Sequence, residues 1–482
     1  MAQDFSFFWH DYETFGRVPR RDRPAQFAGV RTDADLNEIG EPVNIYCQPP
    51  LDRLPDPESC LLTGITPQVC AAQGLAEHAF ANAVLGELGQ PGTVGVGYNS
   101  IRFDDEVSRH LFWRNLIDPY GREWQNGCGR WDLLDVVRCA YALRPDGLQW
   151  PKHEDGRVSF KLEQLSAANG LAHEAAHDAL SDVRATIALA RLIRQQQPRL
   201  FDFCLKLRRK EAVWAEIGQG KPFLHISGMY PADRGCIGLV WPLAPHPTNK
   251  NELIVWDLAH DPAELLTQDA DTLSQRLFTR NDEMPEGMTR LPVKTIHVNK
   301  SPVVIGNLKT LSPAMAKRWG LDLDAGLRHA AWAQAHGGDL GVLPWDAVFA
   351  RPAQASDPDV DEDLYGGFIG GNDRRTLERL RALDGAGLAQ RQPSFDDTRL
   401  AELFWRYRAR NWPASLQADE PARWEQHRHA QLFDGAGGGL TLAEFQSRID
   451  ALAEQLGDDD ERGQDILAAL VDWAEQIAPE TS

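Results

Sequence analysis

Residues 5–15, FSFFWHDYETF, place six aromatic side chains in eleven positions, so this run reads as a strand covered on both faces. Whatever else the chain builds must be laid against it. Asp11 and Glu13 interrupt the apolar run. Side chains two apart on a strand share a face, so the two carboxylates lie side by side. Unpaired charge in apolar surroundings is costly, and a pair of hard divalent ions is the simplest offset. On its own, D-x-E equally fits a strand end that faces solvent.

The 482 residues provide material for two to four domains. No run of eighteen apolar residues occurs, which predicts no membrane span. The start, Met-Ala-Gln-Asp, lacks the basic and apolar regions of a secretory signal. Seven scattered cysteines without a C-x-x-C pair predict neither a disulfide framework nor a zinc site, and a reducing cytoplasm is expected. The net charge of -20 argues against a general nucleic-acid coat protein but permits an enzyme with a local basic groove. Basic residues cluster as Arg17, Arg20, Arg21 and Arg23, as Lys206, Arg208, Arg209 and Lys210, and as Arg406, Arg408 and Arg410. Such clusters fit a solvated face as well as a binding patch.

Residues 1–198 alternate strand and helix signals, with strands at 26–31, 43–47 and 93–98 and helices at 76–88, 105–116, 131–143, 162–169 and 178–196. This predicts an α/β domain with a mixed sheet. Residues 199–350 carry short strand signals among Gly and Pro, with a helical insertion near 262–278, and read as a β-rich domain. Residues 351–482 read as an all-α domain, with helices at 374–383, 400–409, 421–432, 442–456 and 463–477. The acidic stretch 357–363 reads as an exposed linker.

Two further stretches carry chemistry. In GYNSIRFDDE, residues 97–106, a strand ends and acids open a helix. Asp104 and Asp105 there also suit a helix dipole. In HDALSD, residues 177–182, His177 and Asp182 would lie about 140° apart on one helix. Placing His177 on the preceding loop, with Asp178 as the cap, lets Asp182 project inward while His177 stands ready as a general base.

Together the three stretches resemble the DEDDh family of 3′→5′ exonucleases. D-x-E matches Asp11 and Glu13, N-x-x-x-F-D matches Asn99, Phe103 and Asp104, and H-x-A-x-x-D matches His177, Ala179 and Asp182. HDYETFG at 10–16, DRPAQF at 22–27, LTGITP at 62–67, RWDLLD at 130–135, QPRLFD at 197–202 and YRARN at 407–411 are similar to the bacterial exodeoxyribonuclease I family over nearly the full length. The resemblance implies a ribonuclease-H-like exonuclease domain, an SH3-like β-rich domain and a helical C-terminal domain. It implies a processive enzyme that degrades single-stranded DNA from the 3′ end to 5′-mononucleotides in DNA repair.

Asp11, Glu13, Asp104 and Asp182 would hold two Mg²⁺ ions, with Mn²⁺ as a substitute, and His177 would be the base. Asp105 is the rival to Asp104, and Asp132 and Asp135 are taken as structural. Glu13, Thr14, Phe15, Phe160, Lys161, Arg109, Tyr120, Trp124 and Arg138 are the expected substrate contacts, with Trp131 as a further aromatic candidate. Lys161 lacks the bidentate phosphate grip of an arginine. Lys210, Lys300 and Arg410 are candidate contacts from a clamp around the strand. The resemblance also implies docking of the acidic tail of single-strand DNA-binding protein at Arg144 and Lys221, and a monomer. The alternatives are an RNA-trimming or proofreading enzyme of the same family, or an inactive DNA-binding scaffold.

Overall fold

The computed structural model describes residues 5–171, 178–350, 358–457 and 460–479. The chain divides into two compact units, one of residues 1–129, 173–184 and 356–482, the other of residues 130–172 and 185–355.

In the first unit, β1 (Ser6–Thr14) pairs antiparallel with β2 (Pro24–Thr32), and β2 pairs antiparallel with β3 (Val43–Tyr46). On its other side β1 runs parallel to β4 (Thr93–Gly97). The strand order β3-β2-β1-β4 makes β1 an inner strand of a mixed sheet, as its aromatic run requires. Phe8, Tyr12 and Phe27 pack with Phe80 and Val84 of the helix Glu77–Leu88 and with Leu111 and Phe112 of the helix Asp104–Arg114.

The segment between β3 and the helix at Glu77 holds two helices the sequence reading passed over, Pro57–Thr63 and Pro67–Gln73. Each starts on proline and is capped by a side-chain oxygen, Asp56 to the Ser59 N–H and Thr66 to the Val69 N–H. Both are too short to show apolar periodicity.

The five expected C-terminal helices are present as Gly371–Arg381, Arg399–Asn411, Glu420–Leu432, Leu442–Gln455 and Glu461–Ile477. They share cores with the N-terminal residues of the same unit. Phe15, Ala25 and Cys70 pack with Phe445, Ile449 and Leu470, and Trp113 and Leu116 pack with Leu377, Leu400 and Phe404.

The acidic stretch read as an exposed linker is corrected on its described part. Asp361 is 0% exposed and takes salt bridges from Arg23 at 2.9 Å and Arg410 at 2.5 Å. Its residue Asp357 lies outside the described residues.

In the second unit, β5 (Gly129–Asp132) precedes the helix Leu133–Leu143. The 131–143 run, expected as one helix, is thus a strand end followed by a helix. Asp132 is the cap, accepting from the Leu134 N–H at 3.0 Å. The strands β6 (Phe223–Ile226), β7 (Ile237–Pro245), β8 (Glu252–Asp257), β9 (Val293–His297) and β10 (Val303–Ile305) form an antiparallel sheet in the order β10-β6-β7-β8-β9. The helical insertion is present as Pro262–Thr267 and Ala270–Phe278. The helices Lys210–Ile217 and Leu323–Ala335 were not anticipated. The first buries Val213 and Ile217 against Phe223, Val240 and Val255 of the sheet. Among the described residues, no helix is long and apolar enough to cross a membrane.

Candidate active site

Asp11 and Glu13 leave β1 on one face, in register with Ala28 and Gln26 of β2. The register shifts between Glu13 and Thr14, which pairs with Pro24 as the last residue of the strand.

Asp104 arrives from the neighbouring strand. After β4, Asn99 takes a left-handed backbone (φ 65°), and the turn delivers Asp104 as the first residue of its helix, 3% exposed. Its Oδ1 accepts the Tyr12 N–H at 3.0 Å, so the peptide between the first two acids holds the third. Asp182 comes from the first turn of the helix Ala179–Gln196. The Asp178 carboxylate caps this helix by accepting the Ser181 N–H at 3.1 Å, and its carbonyl accepts the Asp182 N–H at 3.0 Å. The capping role expected of Asp178 is present. Carboxylate oxygens of Asp11, Glu13 and Asp182 all lie within 4.8 Å of one another.

Burial raises the Asp11 carboxyl well above the usual range, with Asp104, Glu13 and Asp182 adding to the effect. Glu13 is pushed up to about 8 by burial, then by Asp182, Asp104 and Asp178. Among the described residues, no Lys or Arg pairs with either acid. Three crowded, half-buried carboxylates with a fourth beside them form an oxygen donor set suited to hard divalent cations. The residues therefore fit the implied metal, whose charge would offset the burial and mutual repulsion that raise Asp11 and Glu13.

Asp105 does a different job from its neighbour. Its carboxylate takes the Arg122 guanidinium at 2.5 Å, with both side chains 2% exposed or less. Arg122 was not singled out from sequence, although a second buried acid at 105 calls for a cation. The same guanidinium, after burial itself, pushes the His10 imidazole down to about 3, so His10 is neutral behind the site.

The remaining candidates divide by environment. His177 lies outside the described residues. Thr14 is buried and donates to the Gly16 carbonyl at 2.6 Å, and Phe15 is in the core. Arg109 is committed to Glu123 and Glu106, both at 2.7 Å, and stacks over Tyr120. Its charge is therefore held within the protein. Trp124 is 67% exposed. In the second unit, Trp131 is 1% exposed and meets Phe201 edge-on, which makes it a core residue rather than a stacking platform. Phe160 is half-buried against Tyr141 and Trp150, and Lys161 is exposed. Arg138 pairs with Asp135 at 2.7 Å. Arg144 and Lys221 are exposed. Lys210 donates to Asn251 at 2.6 Å; Lys300 is half-buried. Arg410, a candidate clamp contact, is instead buried between Asp52 and Asp361 and is corrected to a structural residue.

Comparison with known proteins places these features. Residues 8–190 match an exonuclease family model, residues 208–351 the exonuclease I SH3-like domain and residues 358–477 the exonuclease I C-terminal domain. The chain is 43% identical to exodeoxyribonuclease I of Escherichia coli, covering 98% of both chains. It is 43% identical to exodeoxyribonuclease I of Haemophilus influenzae, covering 96% of this chain and 97% of the relative. It superimposes on E. coli exonuclease I in complex with a dA16 oligonucleotide with a TM-score of 0.93 at 41% identity, covering 98% of this chain and all of that one. The zinc-bound form of the E. coli enzyme with single-stranded DNA gives 0.91 at 42% identity, over 98% of this chain and all of that one. An SSB/exonuclease I structure in complex with the inhibitor CFAM gives 0.89 at 41% identity, over 99% of this chain and all of that one. With an inner strand bearing two acids, a third held by that strand's own backbone and a fourth on a capped helix, this chain belongs to the exodeoxyribonuclease I family.

Proposed function

We propose that this chain is a divalent-metal-dependent 3′→5′ exonuclease that degrades single-stranded DNA to 5′-mononucleotides. The observation that carries the reading is the convergence of Asp11, Glu13 and Asp182, with Asp104 fixed beside them by the Tyr12 N–H.

Asp11, Glu13, Asp104 and Asp182 would hold two Mg²⁺ ions, with Mn²⁺ as a substitute. Such ions, when bound, supply an activated water and stabilise the leaving 3′ oxygen. The protein's own part is to orient. Asp178 fixes the helix that carries Asp182, and the Asp105–Arg122 pair keeps a fifth carboxylate out of the cluster. His177 is the proposed proton acceptor for the attacking water. Glu13, Thr14 and Phe15 at the end of β1 are proposed to meet the 3′ nucleotide. Phe160, Lys161, Tyr120, Trp124 and Arg138 are proposed to meet bases and phosphates further along. Trp124 is the aromatic best exposed for stacking. Arg109 drops out of the proposed set because its buried guanidinium is already held by two carboxylates, whereas Arg138 meets one.

The second unit offers chemistry for a protein partner. Arg144 stands at a cavity of about 440 Å³ lined by Leu143, Pro198, Phe203 and Ile305. A basic rim on an apolar cavity suits the acidic, aromatic-ended tail of single-strand DNA-binding protein, with Lys221 as a further basic contact.

The test is release of nucleotide from end-labelled single-stranded DNA, duplex DNA and RNA, with Mg²⁺ and with chelator. The expected result is Mg²⁺-dependent cleavage of single-stranded DNA from the 3′ end. Equal cleavage in chelator, or by the Asp11→Ala variant, overturns the reading.

A further inference from the structure

A second cavity in the first unit, of about 340 Å³, lies beyond the end of β1, with Phe15 in its wall. Its other walls come from residues 17–23 and 49–56, Gln431, residues 438–440 of the glycine loop and the last two helices. Residues of these walls carry polar atoms, sealed from solvent, with no hydrogen-bond partner among the described residues. These are all three guanidinium nitrogens of Arg53, Nε and Nη1 of Arg23, the Trp473 indole N–H, Gln431 Oε1 and Asp52 Oδ1. Donor nitrogens thus outnumber acceptor oxygens six to two.

Arg53 is the centre of this imbalance. It is 8% exposed, and the glycine loop makes room for it. A Cβ at Gly437 would lie 2.9 Å from Nη2, and one at Gly439 would lie 3.1 Å from Nη1. Around it, Arg23, Arg406 and Arg410 are matched by Asp52, Asp359 and Asp361, each carboxylate already salt-bridged. At the rim, Arg21 meets Asp22, Arg448 meets Asp56 and Arg20 meets Glu362. Arg53 is left as a buried, unpaired cation, which is costly. Burial and then Arg23 lower its basicity, and the nearby Asp361, Asp52 and Asp359 offset this only in part. A planar fork of donors with a further indole N–H nearby suits an anion with several acceptor oxygens.

We propose that this cavity binds a tetrahedral oxyanion, the phosphate group of either a small phosphorylated ligand or a polynucleotide backbone, with Arg53 as its principal contact. None of the four site acids lines this cavity, and the inference does not rest on the nuclease reading.

The experiment is thermal unfolding of the full chain in chelator, titrated with inorganic phosphate against chloride at matched ionic strength. The chelator keeps phosphate from binding through a metal at the carboxylates. For the wild type, a saturable rise of about 2 °C or more is expected. Arg53→Met should unfold at or above the wild-type temperature without phosphate, because it removes an unpaired buried charge, and should show no saturable rise. Arg53→Lys should keep part of the response. Repeating the titration with 5′-thymidylate and with an oligothymidylate lacking terminal phosphates separates the two sources. Equal phosphate responses in wild type and Arg53→Met overturn the proposal. So does a loss of stability in Arg53→Met without phosphate, which would make Arg53 a structural residue.

Discussion

Adjacent aspartates at 104 and 105 have opposite fates. Asp104 accepts the Tyr12 N–H and adds to the upward shift of Asp11 and Glu13, whereas Asp105 closes a buried ion pair with Arg122. Asp104→Asn should therefore lower nucleotide release by orders of magnitude with little change in stability. Asp105→Asn should leave Arg122 buried without its partner and cost about 3–5 kcal/mol. Denaturant unfolding and steady-state cleavage of both variants test the contrast; equal loss of activity without loss of stability in Asp105→Asn would refute it.

Protonation at the site makes a second prediction. In the metal-free protein Glu13 keeps its proton up to about pH 8, while the unfolded chain releases it in the ordinary carboxyl range. Between those values the folded state holds more protons, so stability falls as pH rises, by up to about 1.4 kcal/mol per pH unit for this carboxyl. Asp11, raised for the same reason, acts in the same direction. Unfolding midpoints in chelator should fall between about pH 5 and pH 8 more steeply than in Mg²⁺, and Glu13→Gln should flatten the chelator curve. At this scale the acids were legible because D-x-E, N-x-x-x-F-D and H-x-A-x-x-D occur together in one chain, whereas the spacing of each alone left its acids ambiguous. The pairing of Asp105 with Arg122, and of Arg410 with Asp52 and Asp361, was not, because each joins residues distant in sequence.

At the scale of elements, the turn after β4 sets the position of Asp104. Gly97 ends that strand, and a Cβ there would sit 2.6 Å from the Ser100 Cβ and 2.9 Å from the His10 carbonyl oxygen. Gly97→Ala should cost about 1–3 kcal/mol through overpacking and displace the turn that carries Asn99 and Asp104. Weakened metal binding by calorimetry, together with a lowered unfolding midpoint, is the expected pair of results; an unchanged metal affinity would separate the turn from the site. Long periodic helices such as Ala179–Gln196 and Glu461–Ile477 were readable from apolar spacing. The proline-started helices Pro57–Thr63 and Pro67–Gln73 were not, because a proline start and a capping oxygen leave no repeating pattern. The 131–143 run misled for a related reason. A buried strand and a buried helix face are both apolar, and only the capping role of Asp132 marks the join.

At the scale of the molecule, the first and last parts of the chain are one folded body. Phe445, Ile449 and Leu470 cover Phe15 and Cys70, while Asp361 joins Arg23 to Arg410. A fragment of residues 1–198 would expose those apolar faces and leave Arg23 without Asp361. It should be insoluble or lack a cooperative unfolding transition, although it contains every proposed catalytic residue. Adding residues 356–482 as a separate polypeptide should restore solubility if the shared cores are what is missing. Circular dichroism melts of the fragment alone and of the mixture decide the matter.

The interrupted layout of the first unit also has a timetable. Its strands β1 to β4 are complete in sequence by residue 97, yet the helices that cover Phe15 and Trp113 begin after residue 356. At a synthesis rate of about 5–20 residues per second, the ribosome needs on the order of tens of seconds to bridge that gap. Throughout that interval the nascent sheet waits with its apolar flank uncovered, so the final body closes only when the last helices emerge. The same layout that unites the two ends of the chain makes the newborn protein dependent on protection until translation is nearly finished.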